Sequence, residues 1–184
     1  MDTREWREYK IVDIFNIKSC KCQDASELEE GKDTFYIGAK KDLLGIMKNV
    51  AIEQDLMIDG NCIVFICQGQ GSAGYANYVP CDFIGATSLR VGYHKKLNKF
   101  NGMFIATILD LQRPRFSFGR GWGNTLKDTI INLPTTPNNQ PDWQFMEDYI
   151  KKIYNKVIEE IKASAPALLS LSLSLSEKPS SPEM

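Results

Sequence analysis

Residues 63–74, Ile-Val-Phe-Ile-Cys-Gln-Gly-Gln-Gly-Ser-Ala-Gly, place glycines at 69, 71 and 74 directly after an apolar run. This Gly-x-Gly-x-x-Gly spacing lets backbone amides at a helix N-terminus approach a pyrophosphate. The chemistry requires a helix to follow at once. Instead come Tyr75-Ala76-Asn77-Tyr78-Val79-Pro80, an apolar and aromatic pattern with a proline that suits extended chain. Where an acidic ribose partner belongs, the chain has Arg90, Val91 and Gly92. A nucleotide-binding enzyme using Gly69 to Gly74 is therefore the weaker alternative. A glycine-rich loop joining two strands is the better reading, with Gln68, Gln70 and Ser72 available to a ligand or to DNA.

His94 is the sole histidine and sits beside Lys95 and Lys96, without an activated-serine motif elsewhere. A surface or DNA-facing role is expected for it rather than general-base catalysis. The five cysteines are odd in number, and only Cys20-Lys21-Cys22 brings two close together, so free buried thiols are expected rather than disulfides or zinc. No cofactor, metal or catalytic residue is expected from this inventory.

Formal net charge is -1, which names no partner, but its distribution is uneven. Residues 90–127 carry Arg90, Lys95, Lys96, Lys99, Arg113, Arg115, Arg120 and Lys127 against Asp110 alone, eight bases to one acid and hence +7, leaving -8 for the remainder. A basic zone on an otherwise acidic chain fits a module that meets phosphate on one face. At 184 residues with 43% hydrophobic side chains, the chain suffices for one globular body and an appendage. No apolar run is long enough to span a bilayer and the acidic start does not resemble a signal peptide, so a cytoplasmic protein is expected.

The elements that would position these residues follow from periodicity. Residues 6–17 form a short aromatic and branched segment that should pack the N-terminus on the body. Residues 35–38, 62–67, 86–91 and 130–133 are short, rich in β-branched and aromatic types and bounded by Gly, Asn or Asp, as strands are. Residues 103–111 fit strand or helix, and the helical recurrence of Phe104, Ile108 and Leu111 favours helix. Together these predict an α+β domain with a mixed, largely antiparallel sheet. From Asp142, a candidate N-cap, the period changes: Met146, Ile150, Ile153, Val157 and Ile161 recur at steps of four, three, four and four, an amphipathic helix that should protrude and end at Pro166. The domain would thus occupy 1–140, the dimerisation or docking helix 141–165, and a disordered Leu/Ser-alternating tail 166–184.

In order and spacing over residues 6 to about 161, the chain resembles the target recognition domain of type I restriction-modification specificity subunits and of related two-subunit and fused enzymes. The matching blocks are Trp6 with Tyr9-Lys10-Ile11-Val12-Asp13-Ile14-Phe15-Asn16-Ile17, Tyr36-Ile37-Gly38-Ala39 with Gly45-Ile46, the Gly71-Ser72-Ala73-Gly74 turn, and Asn101-Gly102-Met103-Phe104-Ile105-Ala106-Thr107. They continue with Phe116-Ser117-Phe118-Gly119-Arg120, Ile131-Asn132-Leu133-Pro134 and Pro141-Asp142-Trp143-Gln144-Phe145-Met146-Glu147-Asp148-Tyr149-Ile150.

The resemblance implies a non-catalytic module that reads double-stranded DNA and directs a DNA methyltransferase subunit, with restriction and translocation subunits in complete complexes. The family's subunits carry two recognition domains joined by paired helices, whereas this chain has one of each, so pairing with a second copy is one expectation. Within that frame, Arg90, Lys95, Lys96 and Lys99 would hold phosphates, and Arg113, Arg115, Arg120, Gln68, Gln70 and Asn124 could read bases. Trp122, Phe116 and Phe118 are expected in the core or in loop packing. Trp143 and Phe145 should anchor the helix root, and a non-DNA module dimerising through the helix is the remaining alternative.

Overall fold

The computed structural model describes residues 5–69, 71–116 and 122–176, with the side chains of 115, 116, 123, 124 and 165–176 excluded. Its centre is strand β6 (Cys62–Ile66), buried at all five positions. Alternate side chains on a strand point to opposite faces. Ile63 and Phe65 accordingly enter one apolar core with Trp122, Trp143 and Met146, while Cys62, Val64 and Ile66 enter a second with Ile37, Phe83, Leu89 and Val91. A strand covered on both sides needs apolar residues without alternation, which is why residues 62–67 form one continuous run.

Strand β6 pairs antiparallel with β7 (Ala76–Val79) and β9 (Leu89–Tyr93), and β9 pairs antiparallel with β2 (Asn16–Ser19). The second sheet has the order β4-β3-β8-β5, built from β3 (Glu30–Ile37), β4 (Ile46–Val50), β5 (Met57–Ile58) and β8 (Phe83–Gly85). Its β3–β8 pairing is parallel and its other pairings are antiparallel, which gives the mixed, antiparallel-dominated α+β fold expected from the sequence. A two-stranded ribbon of β1 (Trp6–Lys10) and β10 (Ile130–Pro134) ties the N-terminus to the segment before the last helix. Between β1 and β2 the short helix α1 (Ile11–Ile14) buries both isoleucines, and the Ile11 amide donates to the Thr129 carbonyl at 3.0 Å. Another short helix, α3 (Trp122–Thr125), places Trp122 edge-on to Phe65 at 5.4 Å, inside the core as expected.

Helix α2 (Lys99–Asp110) confirms the helical reading of residues 103–111 but starts earlier, where Asn98 and Asn101 form a reciprocal capping box. Its core-facing residues are Phe104, Ile105 and Leu109; Leu111 is exposed, so the stripe lies one step round from the expected one. Strand β9 likewise begins later than expected, because Thr87 and Ser88 form a turn whose Ser88 carbonyl accepts from the amides of Cys67 and Gln68. All five cysteines are free; burial pushes the Cys20 thiol up to about 12 and Cys67 up to about 11.

The long helix α4 (Trp143–Ser176) is rooted by its first residues. Asp142 accepts from the Phe145 amide at 3.0 Å, the N-cap role expected of it, while its own amide donates to the Pro134 carbonyl. Trp143 meets Phe15 edge-on, and His94 lies parallel to it at 4.2 Å with an interplanar angle of 2°. His94 thus serves as part of the helix anchor, with Nδ1 accepting from the Lys96 amide at 3.1 Å. Phe104 of α2 packs against Phe145 and Tyr149, and Asn98 donates to Glu147 at 2.7 Å.

Two expectations for this helix are corrected. Met146 is fully buried and Ile150 packs on the same core, so they belong to the body, whereas Ile153, Val157 and Ile161 are 45%, 46% and 58% exposed. The helical backbone also continues past Pro166 to Ser176. A proline removes one amide and crowds the preceding turn, but the surrounding Ala and Leu residues are strong helix formers, and the Leu/Ser alternation does not impose strand.

Two measurements follow from this packing. A Cβ at Gly102 would overlap the ring of Tyr78, which is held by its hydroxyl donating to Asn61. Gly102→Ala is therefore expected to destabilise the protein by about 2 kcal/mol in urea unfolding; an unchanged midpoint would contradict the close approach of α2 to β7. Burial, together with Lys96 and Lys95, holds the His94 pKa below its ordinary value of 6.5. The unfolded chain then binds the proton more readily, so the stability contributed by neutral His94 is complete above about pH 6.5 and is lost as pH falls through the folded value. Thermal melts should show this fall, and His94→Phe, which keeps a ring against Trp143, should flatten it.

Candidate nucleic-acid interface

The loop after β6 closes a hairpin rather than opening a helix. Gly69, Gly71 and Gly74 have φ of 143°, 79° and 92°, conformations that favour glycine, and the Gly74 amide donates back to the Ile66 carbonyl at 3.0 Å. The chain passes directly into β7, antiparallel to β6, so the glycines lead into a strand and not into a helix N-terminus. The pyrophosphate-binding alternative is overturned on this geometry.

Beyond α2, Arg113 reaches this loop. Its Nη2 donates to the Gly71 carbonyl at 3.0 Å and its guanidinium lies 4.6 Å from the centroid of the Tyr75 ring, while the side chain stays exposed. Gln68 is exposed and Ser72 half-buried on the same loop. Arg115 lies in the turn that begins at Arg113, and Asn124 in α3, but their side chains are outside those described; Gln70, Phe118 and Arg120 lie outside the described residues altogether.

A third segment completes this end of the molecule: the turn between β3 and β4, residues 38–45, whose ends Gly38-Ala39 and Gly45 stand among the family-like blocks but whose middle, Lys40 to Leu44, the sequence did not single out. A Cβ at Gly69 would lie 2.9 Å from Ala39 Cβ, so the turn and the glycine loop touch. Buried Asn77 donates to the carbonyls of Lys40 and Lys41, at 3.4 and 3.3 Å. Lys41 donates to the Ala76 carbonyl at 2.6 Å and pairs with Asp110, which also accepts from the Ala76 amide. Asp110 ends α2, where the helix dipole disfavours an acid, and Lys41 offsets that. Held this way, Leu43 and Leu44 are both left-handed, at φ 51° and 58°, with side chains 75% and 41% exposed. Such a conformation costs about 1–2 kcal/mol for each non-glycine residue. The local signal for this turn was Lys-Lys-Asp before a glycine, but nothing in the residue types announces the strain.

The basic zone does not form one patch. Lys95, Lys96 and Lys99 are exposed near the start of α2 and the root of α4, and Lys99 lies over the Tyr154 ring at 5.4 Å. Arg113 lies beyond the other end of α2, about 20 Å away at 1.5 Å per residue. Arg90 is half-buried and donates to the carbonyls of Thr87 and Leu89 at 3.0 and 2.8 Å, which pins the turn before β9. Lys127 is exposed in the short turn Leu126–Asp128. The geometry therefore offers a compact end made of the glycine loop, the 38–45 turn and Arg113, with a separate lysine group near the helix root.

Comparison with known proteins bears on this arrangement. The chain is 28% identical over 156 residues to the specificity subunit S.BcgI of a type II restriction enzyme from Heyndrickxia coagulans, covering 83% of this chain and 45% of that one. Its fold is similar to the S subunit of a type I restriction-modification system from M. genitalium, with TM-score 0.60 and 16% identity over 98% of this chain and 47% of the other. The HsdS subunit from Thermoanaerobacter tengcongensis is similar at TM-score 0.57 and 14% identity, covering 89% and 40% of the two chains. The chain thus spans less than half the length of each of these relatives. The family model for the type I restriction modification DNA specificity domain matches residues 3–163, and the chain belongs to that family.

Proposed function

We propose that this chain is the non-catalytic, sequence-reading component of a restriction-modification complex, binding double-stranded DNA and directing a methyltransferase subunit, and a restriction or translocation subunit where one is present, to its target. The observation that carries this reading is the match to the DNA specificity family across the whole body and the first part of α4. The described geometry supports it: an exposed arginine, exposed Gln68 and a glycine-rich turn share one end of the fold, where base edges and phosphates could be met together. Lys95, Lys96 and Lys99 supply phosphate-holding charge at a distance, which fixes register without reading sequence. Such a protein works in the cytoplasm beside the chromosome; among the described residues no helix is long and apolar enough to cross a membrane.

The exposed stripe of Ile153, Val157 and Ile161 would seat the second half of the assembly. Isologous pairing with a second copy through this stripe would give a palindromic target with a spacer. A methyltransferase subunit would occupy the same stripe in the alternative arrangement.

Binding of mixed-sequence duplex, followed by fluorescence anisotropy with the modification subunit present, should weaken steeply as salt rises. No binding at low salt would overturn the reading. Arg113→Gln is expected to cut affinity for the preferred duplex about tenfold, and unchanged affinity removes Arg113 from the interface. Ile153→Lys with Val157→Lys should leave the melting temperature of the body unchanged while converting dimer to monomer in sedimentation. If the oligomeric state is unaffected and methyltransferase binding is lost, the stripe belongs to that subunit.

A further inference from the structure

The turn at 38–45 presents the reverse of what folding alone selects. Its backbone is fixed from beneath by Asn77, by Lys41 through Asp110 and Ala76, and by the Gly38 amide donating to the Gly45 carbonyl at 3.0 Å. That rigidity is spent on holding two consecutive leucines left-handed with their side chains towards solvent. Strain of this kind persists only where the surroundings over-determine it, and it clusters at ligand contacts. Glycine or asparagine would fill the same backbone without strain and without an exposed apolar surface.

We infer that Leu43 and Leu44 are an apolar reading element of the DNA interface, seated in the major groove against the C5-methyl group of thymine. This rests on the DNA-reading function proposed above. Duplex DNA is the occupant favoured by the setting. The turn abuts the glycine loop at Gly69, and Arg113 donates to that loop at Gly71, so the leucines share an end of the fold with an exposed guanidinium. The turn itself carries Lys40 and Lys41 against Asp42, which immediately precedes the leucines. Residues 111–116, to which Arg113 belongs, hold two arginines and no acid. Hydrogen-bonding side chains distinguish most base edges, but the thymine methyl is an apolar feature and needs an apolar partner held in a fixed position.

The test is a cycle between protein and DNA. The full chain with its modification subunit would first select its preferred sequence from a randomised duplex library. Each thymine of that sequence would then be replaced singly by deoxyuridine, which removes only the methyl group. Wild type is expected to lose about fourfold in affinity at one or two positions. The variant carrying Leu43→Gly and Leu44→Gly should bind the thymine duplex more weakly by a similar factor and no longer distinguish thymine from deoxyuridine there, while its salt dependence is unchanged. Its melting temperature should not fall, because glycine relieves the turn.

The inference is overturned if the variant retains the thymine preference. A fall in melting temperature would overturn it too, by showing that the leucines pack within the protein. Lost co-purification with the modification subunit at unchanged DNA selection would assign them to a protein contact instead. If wild type selects no sequence at all, it is the DNA-reading function that fails, an outcome distinct from a failure of the leucines alone.

Discussion

Strand β6 is the constraint on which the rest of this molecule depends. Five consecutive buried positions force a cover on each side: α2 and the root of α4 with Trp122 on one, the β4-β3-β8-β5 sheet on the other. A continuous apolar strand left open on either face would be an aggregation hazard, so neither layer is dispensable. The same strand delivers the glycine loop at its end, and the two covering layers deliver the 38–45 turn and Arg113 beside it. The candidate interface is thus made of three connections converging where the layers meet, each fixed by an element that β6 holds in place. That arrangement suits recognition, since loops vary with specificity while the scaffold beneath them stays the same.

Polar ties at this end secure loops rather than stabilise the core. Asp110 and Lys41 form a half-exposed pair, which by itself contributes little, yet both also bond to the main chain of Ala76 and so lock strand, helix end and turn together. Asn77, buried on β7, donates to two carbonyls of the turn that have no sheet partner. Replacing such contacts by apolar packing would cost little stability, but it would free the turn that presents Leu43 and Leu44. The fold concentrates its apolar burial in the centre and its strain at the periphery, as expected where a rigid surface must meet a ligand.

Sequence reasoning recovered what depends on periodicity. The apolar run at 62–67, the extended chain after Gly74 and the helix near residues 103–111 were legible because burial selects residue type at a fixed spacing. Short edge elements such as β4 and β5 were not, since two to five residues carry too little pattern to stand out from loops. Charge summed along the chain also misled: the +7 zone is contiguous in sequence but divided by the length of α2, and Arg90 is turned to backbone carbonyls. Position along a chain says nothing about which cations share a surface. The Leu43–Leu44 turn escaped for a different reason, because its φ angles are imposed by Asn77 and Lys41 from elsewhere in the fold, and tertiary context of that kind leaves no local mark.

The long helix shows how one regular element can serve two purposes divided by a few residues. Its stripe is continuous in sequence from Met146 to Ile161, but the body covers it only at the root: Met146 is buried, Ile150 packs against the core and Ile153 is half exposed. Phe104 meets Tyr149 and Phe100 meets Tyr154, the last ring contact between body and helix among the described residues. From Tyr154 to Ser176 the helix extends for about 33 Å at 1.5 Å per residue. Along its described part Tyr154, Val157 and Ile161 are exposed, and isolated helices of this length are marginal in water without a packed face. The apolar stripe that it carries therefore has to be covered for the arm to be well formed. The root, by contrast, is fixed by the Asp142 cap and the parallel stack of His94 on Trp143, so the direction in which the arm leaves is set before any partner arrives. A rigid exit with an uncovered stripe at Ile153, Val157 and Ile161 fixes where a partner would have to complete the seam, which is the arrangement that the proposed function calls for.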